Sequence, residues 1–143
     1  MGGLGSRPPR PYNARFRPHC MPLPMTAQSP SLNRRIVLAE RPEGIPGPEH
    51  FRRDDQPPRE PADGEFLVRN VCLSIDPAQR GWVNAAANYS EPVAIGEVMR
   101  ALAVGRGERS GHPDIAEGSY LYGFFGWQDW CVATPGQVLH RVD

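Results

Sequence analysis

The stretch FLVRNVCLSIDPAQRG, Phe66 to Gly81, holds the strongest structural signal in this chain. Its opening is rich in β-branched and apolar residues with no glycine or proline, which predicts a strand from Phe66 to Ile75. Apolar residues are nearly continuous there, so the strand is expected to be central and covered on both faces. Asp76-Pro77 stops it, because proline has no N–H to offer a ladder. The segment beyond, through Arg80 and Gly81, is either a turn that merely ends the strand or a corner that presents polar groups to a ligand. The local residues leave both open.

Just upstream, Pro61-Ala62-Asp63-Gly64 has the residues of a tight turn that feeds this strand. RRIVLAE, from Arg34, reads as a first strand stopped by the Pro- and Gly-rich RPEGIPGPEH, and a second short strand covers Phe51 to Asp55. Downstream, strands are expected at Val98 to Val104, Tyr120 to Phe124, Trp127 to Ala133 and Val138 to Val142. Short strands at this spacing, with no convincing amphipathic helix, predict an all-β barrel or sandwich joined by short turns or helices.

The 143 residues suit one ordinary domain and are few for a two-domain enzyme. Net charge is zero, but residues 1–24 hold Arg7, Arg10, Arg15 and Arg17 and no acid. Residues 25–143 therefore carry twelve Arg against sixteen acids, about −4, which argues against a nucleic-acid binder. The leader's prolines (Pro8, Pro9, Pro11, Pro18, Pro22 and Pro24) deny it helix, so residues 1–24 are expected to be disordered and the folded body to occupy 25–143. Cys20, Cys72 and Cys131 are odd in number and form no CxxC pair, against a disulfide framework or structural zinc. No run is long enough to span a membrane and no signal sequence is apparent, so a soluble, cytoplasmic body is expected.

Gly105, Gly107 and Gly111 in AVGRGERSGHP follow a strand, as in a dinucleotide fingerprint. That fingerprint needs a helix opening on its glycines, whereas Pro113 comes next and no helical period does, so the segment reads as a hairpin loop. His50, His112 and His140 are isolated, and His19 lies in the leader, so no metal site is expected. No Gly-x-Ser-x-Gly elbow is present. The cluster YLYGFFGWQDW, Tyr120 to Trp130, is either strand and hairpin core or a pocket wall whose glycines let a ligand approach the backbone. Tyr89 is open to the same two readings.

The order of these segments resembles the N-terminal, GroES-like domain of the zinc-independent medium-chain reductases, the group of the prostaglandin and leukotriene B4 reductases and the alkenal double-bond reductases. The matching stretches are NRRIVLAERPEG, FLVRNVCLSIDP with the later RG, SEPVAIGEVM, SGHPDIAEGSYLYGFFGWQDW and VATP. The resemblance implies a partly closed β-barrel. It also implies that the Asp76 corner lines an interdomain cleft at the nicotinamide end of NADP, with Asp76, Pro77, Ala78 and Arg80 as cofactor-side positions. Asp76, Pro77, Arg80 and Gly81 match the family, while Ala78 and Gln79 stand where it has Tyr and Met. Tyr89 and Trp127 are implied to face substrate. Gly96 is followed directly by Glu97 and the corner has no Cys, so the zinc ligands of the zinc-dependent relatives are missing.

The implied function is that of the substrate-side domain of an NADP-dependent reductase acting on activated C=C bonds of small enals or enones. The family's nucleotide-binding domain would begin after Asp143. The chain is therefore expected to be inactive alone and to bind NADP only weakly, with a separately encoded nucleotide-binding half as a candidate partner. The alternative is a stand-alone, non-enzymatic β-barrel used as a binding or interaction module. A nucleic-acid binder using the arginine-rich leader is a third reading.

Overall fold

The computed structural model describes residues 32–86 and 90–142. The leader and Tyr89 lie outside the described residues. Among the described residues seven strands form: β1 (Asn33–Leu38), β2 (Phe51–Gln56), β3 (Phe66–Leu73), β4 (Leu102–Ser110), β5 (Tyr120–Phe124), β6 (Trp130–Ala133) and β7 (Val138–Val142). One five-residue helix, α1 (Ala78–Trp82), comes after β3. All pairings are antiparallel: β1 and β2 make a ribbon, and the other strands make a sheet in the order β6-β3-β4-β5-β7. Bridges at Arg35–Gln128 and Val37–Val98 tie the ribbon to the rest, giving a partly closed, GroES-like, mainly-β domain.

The expected tight turn forms, with the N–H of Glu65 donating to the carbonyl of Ala62 at 3.0 Å. β3 then enters the core with Phe66, Leu67 and Val68 all buried, so both its faces are covered there. Beyond Arg69 the expectation of two covered faces fails. Val71 is 55% exposed and Ile75 77% exposed. The register with β4 shifts at Leu67/Val68 in the buried half and again at Asn70/Cys72 in the exposed half.

Segment 105–110 is also corrected, from hairpin loop to strand. β4 runs to Ser110, and it begins at Leu102 rather than Val98. Gly105 stands opposite Asn70, where a Cβ would come within 2.2 Å of Val68 Cγ1, so the glycine is required by the close approach of β3. Two apolar cores result. Phe66, Val68, Ala103, Leu121 and Phe125 centre one. Leu38, Trp82, Val83, Val93 and Met99 centre the other, against which Phe51, Ala78, Phe124 and Trp127 pack.

Candidate functional site

The corner after β3 is organised by its own polar side chains. Ser74 extends the β3–β4 ladder by donating its N–H to the Leu102 carbonyl at 2.8 Å, and the chain then turns. Asp76 Oδ1 accepts the N–H of Ala78 at 2.8 Å. Gln79 Oε1 accepts the N–H of Asp76 at 3.2 Å. These bonds satisfy donors at the start of α1 that would otherwise lack partners. Gln79 is only 7% exposed, and its Nε2 donates to the carbonyls of Ser74 at 3.0 Å and Arg100 at 3.5 Å. Arg80 donates to the Gly44 carbonyl at 2.5 Å and to Asn84 Oδ1. Arg41 holds the chain beyond α1 through the carbonyls of Val83, Asn84 and Val93 at 2.8–3.0 Å.

A cleft of about 740 Å³ opens beside this corner. Trp82, delivered by α1, meets Phe124 edge to face with ring centroids 6.4 Å apart. The Arg100 guanidinium lies over the Trp82 ring, 5.3 Å from its centroid. Gly126 and Gln128 also line the cleft. Gly126 has φ +72°, and a Cβ there would come within 3.0 Å of Val98 Cγ1 and 3.1 Å of the Met99 carbonyl, so a side chain has no room there. Asn70 fixes this segment to β3, donating from Nδ2 to the carbonyls of Gly126 at 3.2 Å and Gln128 at 2.8 Å.

The corner keeps Asp76, Pro77, Ala78 and Arg80 together on one short segment, with Asp76, Pro77 and Arg80 exposed. Asp76 and Arg80 are engaged in the local bonds just described. Trp127 is half-buried, packed on Phe51 with centroids 5.6 Å apart, while its neighbours Gly126 and Gln128 line the cleft. Sequence reasoning does not single out Trp82, Arg100, Phe124 or Gln128. Trp82 stands directly after the matched RG and Phe124 within the aromatic cluster, but nothing local marks Arg100.

Cys131 also borders the cleft. Burial pushes its thiol up to about 11, so it stays protonated at neutral pH and is a poor nucleophile. Among the described residues no group of three or more His, Cys, Asp and Glu is placed to hold a metal. His50 Nδ1 accepts the Gly47 N–H at 2.9 Å, His112 Nδ1 accepts that of Asp114 at 3.1 Å, and His140 stacks on Tyr122. Among the described residues no helix is long and apolar enough to cross a membrane.

A dinucleotide does not fit the described residues on their own. Its pyrophosphate calls for a glycine-rich turn opening a helix. The Gly105–Gly107 segment is strand, and α1 spans five residues behind a side-chain-filled corner.

The family described as the N-terminal domain of oxidoreductase matches residues 34–142. The NADPH-dependent curcumin reductase of Escherichia coli K12 is 43% identical over 116 residues, covering 81% of this chain and 34% of that protein. The NADP-dependent 2-alkenal reductase of Nicotiana tabacum is 29% identical over 79 residues, 54% of this chain and 23% of that protein. The crystal structure of CurA from Vibrio vulnificus in complex with NADPH superposes with a TM-score of 0.69 at 42% identity, covering 74% of this chain and 31% of that one. The chain thus spans about a third of the length of the E. coli and Vibrio relatives.

Proposed function

The chain belongs to the family of oxidoreductase N-terminal domains, and on that basis we propose that it is the substrate-side half of an NADP-dependent reductase of activated C=C bonds in enals or enones. One observation carries this reading: two aromatic rings, Trp82 and Phe124, line one cleft together with the backbone of Gly126. Flat rings suit a planar conjugated substrate, and a glycine wall lets it lie close to the main chain. NADPH, when held by a nucleotide-binding half, supplies the hydride. This chain's own share is to bind and orient the conjugated system and to exclude water from it. The Pro77–Ala78 surface is the side offered to the cofactor, and Trp127 belongs to the substrate side. Exposed Val71 and Ile75 offer apolar surface on which a second half could dock.

The reading is tested by mixing this chain with a separately expressed nucleotide-binding half of a relative and following NADPH absorbance with curcumin or a 2-alkenal. Turnover that requires both halves is the expected result. Equal turnover with and without this chain would remove the assignment. A chain that docks no such half and binds no conjugated carbonyl compound would instead be a stand-alone module.

A further inference from the structure

We propose that Arg100 is an anion-binding residue of the cleft, selecting planar conjugated ligands that carry a carboxylate. The ligand class rests on the cleft being the substrate side, but the binding can be measured without turnover. Arg100 commits one nitrogen to the protein: Nη1 donates to Ser90 Oγ at 2.6 Å and to the Glu91 carbonyl at 2.9 Å. Its Nε and Nη2 make no hydrogen bond among the described residues. Trp82 beneath the guanidinium and these two anchors hold its plane in place.

The uncommitted Nε–Nη2 edge is one that two arginines of this chain use elsewhere to grip a carboxylate. Arg34 donates from Nε and Nη2 to the two oxygens of Asp129 at 2.6 and 3.1 Å. Arg53 does the same to Asp55 at 2.7 and 2.5 Å. Such forks match carboxylate geometry bidentately. Arg100 is the one cation among the described residues lining the cleft, and Glu91 the one acid. Glu91 is exposed, so its charge is hydrated and screened, whereas Arg100 is half-buried beside aromatic walls where a fixed charge acts more strongly. A ligand with a flat body and a terminal carboxylate can use the rings and the fork together.

Titration calorimetry of the full chain with cinnamate and with methyl cinnamate tests the proposal. The acid is expected to saturate and to bind at least ~10-fold more tightly than the ester. R100Q should bring the acid down to the ester's affinity, R100K should fall between because it keeps the charge and loses the fork, and E91Q should leave the acid's affinity equal or higher. Equal binding of acid and ester, or saturation by neither, would overturn the proposal. The acid-to-ester comparison needs no variant, so it decides even if R100Q fails to fold. Turnover of neutral enones by the reassembled halves without acid selectivity would remove the role of Arg100 alone. Acid selectivity without turnover would remove the reductase reading instead.

Discussion

Glu65 is held in place at the turn before β3 by Arg59, whose Nη1 and Nη2 donate to its two oxygens at 2.5 and 2.6 Å, and by the Ala62 N–H at 3.0 Å. Those bonds to the ionised form bring its carboxyl from the ordinary 4.5 down to about 2. A depressed folded pKa stabilises the fold above the unfolded value and loses that contribution as pH falls through the folded value. The thermal-midpoint difference between wild type and E65Q should therefore be full at neutral pH and shrink between pH 4.5 and about 2. A difference independent of pH would show that the charge is not what holds the turn. Trp82 lends itself to a similar comparison of variants. It is 7% exposed, and its buried indole N–H has no hydrogen-bond partner among the described residues. W82A should cost ~3–5 kcal/mol in chemical denaturation, whereas W82F, which sacrifices ring volume but no hydrogen bond, should cost much less. Equal losses in the two variants would show that the ring does not fill the core as described.

Among the strands, sequence patterns carry information in some places and packing overrides them in others. β1, β5 and β7 are legible because β-branched or aromatic residues there end at Gly, Pro or polar turns. β4 is not legible past Val104, because glycines at 105 and 107 signal a loop locally, while the reason for Gly105 lies about 37 residues upstream, in Val68 of β3. Only the paired fold makes that contact visible. It also yields a prediction: G105A forces a Cβ to within 2.2 Å of Val68 Cγ1 and 3.0 Å of the Arg69 carbonyl, and should destabilise the domain by ~1–3 kcal/mol. Combining it with V68A should return part of that loss. Additive losses in the double variant, read from denaturation midpoints, would show that the two side chains do not meet.

For the domain as a unit, the Asp76 corner is visible in the sequence because its residues are contiguous and their order resembles a known family. The cleft beside it is not, because Trp82, Arg100 and Phe124 converge from α1, the approach to β4 and the end of β5. The proposed substrate-side role leaves the cofactor's pyrophosphate to another body. Calorimetric titration of the chain with NADPH measures that division of labour. No saturable binding below the millimolar range is expected, because the described residues include no glycine-rich turn opening a helix for its phosphates. Saturable, sub-micromolar binding by this chain alone would mean that it holds the pyrophosphate itself, and the division would be wrong.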